Sequence, residues 1–285
     1  MPDKLRRCVS VVLSMLVMLS VFSGCVRSPG PEPLTVTLLK VGKADAIAVL
    51  SGEHALLIDA GEEDDGPEVV EFLRRHSVRE VEAMIITHYD QDHVGGADTV
   101  LEEFPVGTVY VPDYEGHDWE YLDFLHAAKQ RETPIQRLDE AVSIPFGDAN
   151  ILIEPPASYE IPDVNTDYDN NFSLITTITH GDNRLVFTGD AEKQRLREWL
   201  EGDSAIPCDF LKVPHHGIYN GALEELFAAL DPDFSVICSS KKNPAESKTL
   251  ELLKTCCPNV FETKDGDVLV ISDGKRLEVR QDQKS

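Results

Sequence analysis

Residues 87–96 read THYDQDHVGG, and the reading of the whole chain turns on them. Within this stretch stand His88, Asp90, Asp92 and His93, followed by Gly95 and Gly96. Neutral imidazole and carboxylate are the usual ligands of zinc, iron and manganese. In a tight loop, side chains at 88 and 90 can face one ion while Asp92 and His93 face a second. Taken singly, each has an ordinary reading as a solvated loop residue, and Asp92 could cap the helix that follows. The glycine pair allows a close backbone turn into that helix. VEAMIIT (81–87) is apolar enough for a buried strand, so the motif begins where a strand ends.

Other candidate ligands end strand-like runs in the same way. Asp59 closes ALLIDAG (55–61), Asp190 closes LVFTGD (185–190), and His215 and His216 close FLKVPHHG (210–217). Strand ends on one rim of a sandwich can converge although they are far apart in sequence, and Asp190 could then bridge two ions. Strands are expected at 34–41, 46–51, 54–60, 107–112, 173–180, 183–190, 209–217 and 233–239, with a hairpin at 268–280. Helical spacing marks 66–77, 97–104, 119–132, 191–201, 222–230 and 246–256. The alternation implies two packed sheets with helices outside. No Pro/Gly/Ser-rich boundary divides 34–285.

The chain has 285 residues and a formal charge of −25, which counts against an electrostatic grip on long duplex DNA. Lys4, Arg6 and Arg7 precede an apolar run from Cys8 to Phe22, the length of a signal-peptide core rather than a spanning helix. VFSGC (21–25) resembles a bacterial lipobox. The expectation is a signal peptide at 1–24, a lipid anchor on Cys25, a Pro/Gly tether at 25–33, and an extracytoplasmic lipoprotein on a bacterial membrane. An uncleaved N-terminal anchor is the alternative. Cys208, Cys238, Cys256 and Cys257 include no CxxC spacing, which argues against a thiolate zinc site.

THYDQDHVGG resembles the HxHxDH signature of the metallo-β-lactamase superfamily, with Asp90 at the second histidine. LLIDAG, FTGD and VPHHG resemble that superfamily's other motifs in order. The HxDxDHxGG form, with LLKVGKADAIAV and LKVPHHG, is similar to the hydrolase-like domain of DNA-uptake proteins of the ComEC type and their free-standing relatives. The resemblance implies an αββα four-layer sandwich over 34–285. It also implies metal positions at His88, Asp90, Asp92, His93, Asp190 and His216, with Asp59 buried behind them.

His215 is then a ligand, a proton donor or a support, and Asp92 also belongs to the catalytic set. Relatives often carry a further histidine where this chain reads DYDNNFSL, leaving Asn171 as a weak substitute, and VGQGDA where it reads VGKADA. Ser239, Ser240 and Lys241 could hold a phosphate or merely form a solvated loop, and Lys212 is open between the same readings. The function implied is a metallo-hydrolase with two divalent ions, zinc or manganese, holding a hydroxide between them. Its substrate would be a small or single-stranded phosphodiester. An ester, lactone or β-lactam hydrolase of the same fold is the alternative, and a non-catalytic accessory lipoprotein in DNA uptake is another.

Overall fold

The computed structural model describes residues 30–160 and 168–282. The expected signal peptide, Cys25 and the first residues of the tether lie outside these. Residues from Pro31 onward form one compact unit. Among the described residues no helix is long and apolar enough to cross a membrane.

The chain opens with an antiparallel meander of β1 (Leu34–Leu38), β2 (Ala46–Ser51) and β3 (His54–Ala60). Strands β4 (Val81–Ile85), β5 (Val106–Pro112) and β6 (Ile135–Leu138) then add in parallel. Parallel neighbours need crossovers. These are α1 (Gly66–Arg75), then α2 (Gln91–Val94) with α3 (Ala97–Glu103), then α4 (Trp119–Gln130). The second sheet starts with β7 (Val142–Phe146), β8 (Ala149–Glu154), β9 (Ile175–His180) and β10 (Asn183–Phe187), all antiparallel. Strands β11 (Phe210–Lys212), β12 (Phe234–Ile237) and β13 (Asn259–Glu262) follow in parallel. Their crossovers are α5 (Lys193–Leu200), α6 (Leu223–Leu230) and α7 (Ser247–Cys256). Last, β14 (Val268–Ser272) and β15 (Leu277–Gln281) return to the first sheet beside β1.

The layers follow from side-chain alternation. On β2, Ile47 and Val49 join the core between the sheets, while Ala46 and Ala48 meet the helical layer of α1, α3 and α4. Strands buried on both faces read as unbroken apolar runs. On the far side, Val186 and Leu211 pack against Leu196, Leu226 and Leu253 of the second helical layer. The result is the αββα sandwich.

Four strands have no clear sequence signature: β6, β7, β8 and β13. β6, β7 and β13 are sheet edges, so they pair on one side only and keep polar residues. Pro145 in β7 is tolerated because an edge strand can spare a donor. Gly95 and Gly96 both have negative φ (−54° and −82°), open to any residue, so conformational freedom is not what they supply. They supply closeness: a Cβ on Gly96 would lie 2.4 Å from the Ala60 carbonyl, and one on Gly95 2.6 Å from the Glu63 nitrogen.

Candidate metal centre

The rim is assembled from strand ends. Asp59, at the end of β3, is fully buried. Its carboxylate accepts from the Thr87 N–H (2.7 Å), the Thr87 hydroxyl (2.7 Å) and His93 Nδ1 (2.8 Å). The Thr87 hydroxyl, its proton committed to Asp59, also lies 3.0 Å from His88 Nδ1. One buried carboxylate thus orients both histidines of the motif, directly and through Thr87. His216 Nδ1 is held by the Cys238 carbonyl at 2.9 Å.

Asp92, His93, Asp190 and His216 converge, each offering a ligand atom within 4.8 Å of the others. His93 Nε2 lies 3.3 Å from Asp190 Oδ1, and His216 Nε2 lies 3.0 Å from Asp190 Oδ2 and 3.3 Å from Asp92 Oδ2. His88 and Asp90 form an adjoining pair, Nε2 to Oδ2 at 3.4 Å, and the His88 and His93 ring centroids are 4.1 Å apart. Asp92 sits inside the short helix α2 and caps nothing.

His215 lies further out. Its Nε2 is 3.9 Å from Asp190 and its Nδ1 is 3.3 Å from Glu192. Asp59 (φ 57°), His215 (φ 45°) and His216 (φ 50°) all adopt left-handed backbone, a strain of the kind that persists at functional sites. Asn171 turns to the start of α5, where its side-chain oxygen accepts from the Arg195 N–H. Ser239 is buried, its N–H donating to Thr263 and its hydroxyl to Glu262. Ser240 closes a turn with Asn243, and Lys241 is exposed on it.

Sequence reasoning missed Asp45, which enters from the turn before β2. It is buried against Lys212, and its Oδ1 is 3.7 Å from His216 Nδ1. Asp45 lies within VGKADA, where the departure from the relatives' VGQGDA falls on positions 43 and 44 and leaves the acid in place. Lys212 is neither solvated nor open to substrate. It is fully buried, donates to the Gly189 carbonyl at 2.8 Å, and lies 3.3 Å from Asp190.

Burial works against the charges of Asp190 and His216, and their partners outweigh it. Burial disfavours the Asp190 carboxylate, yet His216, His93 and Lys212 hold its pKa well below the ordinary value. Burial likewise opposes the His216 imidazolium, but Asp190 and Asp92 raise its pKa to about 9. Burial opposes the His93 imidazolium too, but Asp190 and Asp59 raise its pKa. In the metal-free chain His93 and His216 therefore carry protons that balance the acids.

A divalent ion fits this arrangement. His88, His93 and His216 each have a buried Nε2 with no hydrogen-bond partner. The short carboxylate distances above are ion-pair contacts without hydrogen-bond geometry. Each ring's Nδ1 is engaged behind it, the outer support that metal-binding histidines usually have. At His93 and His216 the metal would replace the proton that each ring carries.

A family model described as the metallo-beta-lactamase superfamily matches residues 39–241. The chain is 28% identical over 198 residues to ComE operon protein 3 of Bacillus subtilis, covering 68% of this chain and 25% of that protein. It is 27% identical over 257 residues to Recombination protein 2 of Haemophilus influenzae, covering 86% of this chain and 30% of that protein. It thus spans under a third of the length of these curated relatives. Among solved structures, the metallo-beta-lactamase fold protein YhfI from Bacillus subtilis aligns with a TM-score of 0.53 at 14% identity, covering 81% of this chain and 96% of that one. That likeness shows a shared fold. The matched span of residues shows that the chain belongs to the metallo-beta-lactamase superfamily.

Proposed function

We propose that the protein is a metal-dependent hydrolase of phosphodiesters, with one or two zinc or manganese ions as its resident cofactor. The observation that carries this reading is the set of three buried imidazole nitrogens without hydrogen-bond partners, those of His93 and His216 facing Asp92 and Asp190 and that of His88 facing Asp90. Asp92, His93, Asp190 and His216 would hold one ion, and His88 with Asp90 would take part in holding a second. Bound there, a divalent ion polarises a phosphoryl oxygen and acidifies an attacking water. The hard oxygen of Asp90, where relatives have imidazole, favours tolerance of manganese.

The chain's own groups do the rest. Asp59 fixes the ring of His93 and, through Thr87, that of His88. His215, partly exposed and backed by Glu192, is suited to give a proton to the leaving oxygen. Relatives named for recombination and for a Com operon support a nucleic-acid substrate. The charge of −25 favours a short or single-stranded one. A lipid on Cys25 would hold the enzyme at the outer face of a bacterial membrane, and Cys25→Ser would release it.

The test compares bis-(p-nitrophenyl) phosphate and short single-stranded DNA with a lactone and a β-lactam, in one protein preparation under one set of metal conditions. Phosphodiester turnover should dominate. Lactone or β-lactam turnover larger by orders of magnitude would put the ester reading in its place. Inactivity of metal-loaded protein on all four would favour a binding role.

A further inference from the structure

We infer that the cleft beside His216 is a subsite for a second, flanking phosphate, and that Lys43 and Lys242 set the enzyme's preference for substrates that carry one. This rests on the phosphodiesterase reading and narrows it: the preferred substrate is a short oligonucleotide rather than an isolated phosphodiester.

The cleft measures about 510 Å³, within the range of ligand clefts, and Lys43, His216, Lys242, Asn243 and Glu246 are among its lining residues. His216 belongs to the metal cluster, so the cleft opens directly beside the reacting position. Two lysines converge here on a molecule whose charge is −25. Glu246 is the acid among the lining residues, and its backbone N–H is tied to the Gly217 carbonyl.

Both cations are presented by constrained backbone. Lys43 follows Gly42, whose φ of +91° makes the turn between β1 and β2. Lys242 sits in the turn after β12 that is closed twice: Ser240 N–H donates to the Asn243 carbonyl (3.1 Å), and Asn243 N–H donates to the Ser240 hydroxyl (3.0 Å). A further cation, Lys248, lies 3.6 Å over the ring of Tyr219 in the loop that follows His216.

The position of Lys43 is informative. Its ammonium is 3.5 Å from Asp92 Oδ2, and the side chain remains partly exposed. The same oxygen faces His216 and belongs to the candidate ligand cluster. An ion held by Asp92 would take up that carboxylate's charge and release the Lys43 ammonium from its pairing with Asp92. Its charge then faces the cleft. Ammonium point charges suit phosphate, and the subsite becomes anion-selective once the centre is loaded.

The test uses metal-loaded protein and the variants Lys43→Gln, Lys242→Gln and the double variant, with circular dichroism and metal content checked first. Single exposed pairs contribute modestly, so the double variant is the decisive one. The ratio of kcat/KM for tetrathymidylate to that for bis-(p-nitrophenyl) phosphate should fall about tenfold in it, with the loss in KM. An unchanged ratio overturns the subsite and leaves the phosphodiesterase reading standing.

Binding is measured separately, by anisotropy of a labelled phosphorothioate tetrathymidylate, and should weaken about tenfold in the double variant. If no phosphodiester is turned over, the functional reading fails on its own, and the binding arm still decides. Wild-type binding that the double variant loses supports the subsite. No wild-type binding overturns it.

Discussion

Asp59→Asn exchanges one oxygen for an amide nitrogen at nearly constant volume and should cripple the metal centre from behind. Asp59 accepts from three donors: Thr87 N–H, Thr87 O–H and His93 Nδ1. An amide has a single acceptor oxygen. Turned one way, its NH2 faces the Thr87 hydroxyl and His93. Turned the other, it faces the Thr87 N–H. In either orientation a buried donor loses its partner, at a cost of about 1–3 kcal/mol in stability.

When the NH2 faces His93, the ring is driven to place its proton on Nε2, where a free nitrogen lone pair is needed to bind the metal. Loss of such an outer partner typically costs about 10–100-fold in metal affinity, or about 1.4–2.8 kcal/mol. Asn tolerates the left-handed backbone at this position (φ 57°), so little further strain is added. Zinc affinity is read by competition with a chromophoric chelator, and stability of the metal-free protein by denaturant unfolding. Zinc affinity within twofold of the wild type, in a protein that remains folded, would refute this account of Asp59.

His93→Ala, Asp190→Ala and His216→Ala should each lower metal content, measured by elemental analysis, together with activity. Metal-free wild-type protein to which zinc or manganese cannot be restored would exclude the centre altogether. His215→Ala should retain its metal and lose turnover by about 100-fold, the scale of a missing general acid; loss of metal instead would make His215 a ligand. Burial pushes the Asp65 carboxyl up to about 6, with the charges of Glu62, Glu68 and Asp64 adding to the shift. A carboxyl whose pKa is raised on folding contributes fully below its unfolded value, and the contribution is lost as pH rises through 6. Asp65→Asn should therefore gain stability over the wild type at pH 7.5 and not at pH 4. Discounted for its half-exposed position, the gain is about 1 kcal/mol, and denaturant titrations that give the same difference at both pH values would refute it. Gly96→Ala puts a Cβ 2.4 Å from the Ala60 carbonyl and should cost about 1–3 kcal/mol in the same assay.

The layers and the rim were legible because their physical cause is local. A strand buried on both faces must be apolar along its length, so a polar residue at its end stands out. Asp59, His88, Asp190 and His216 all announce themselves in this way. The edge strands β6, β7 and β13 were silent because an edge pairs on one side and is free to stay polar.

What a polar side chain does at the rim depends on which other segments arrive there, and that is a property of the packed sandwich. Lys212 is fully buried because Asp45 and Asp190 come from other strand ends to meet its charge. Asp45 carried no signal in the sequence because its partners, Lys212 and His216, lie far along the chain. His215 and His216 are neighbours with similar backbone, yet one faces Glu192 and the other enters the cluster with Asp92 and Asp190. The glycine pair was recognisable as a turn into a helix, but its reason is the approach of Ala60 and Glu63, a contact that exists only once α2 and α3 are seated on β3. The sequence alone determined the order of the helices and of most strands, and the chemistry at their ends, since both follow from patterns within a few residues. Only the tertiary structure decided which of those ends share a charge, because that is set by distances between segments that never adjoin along the chain.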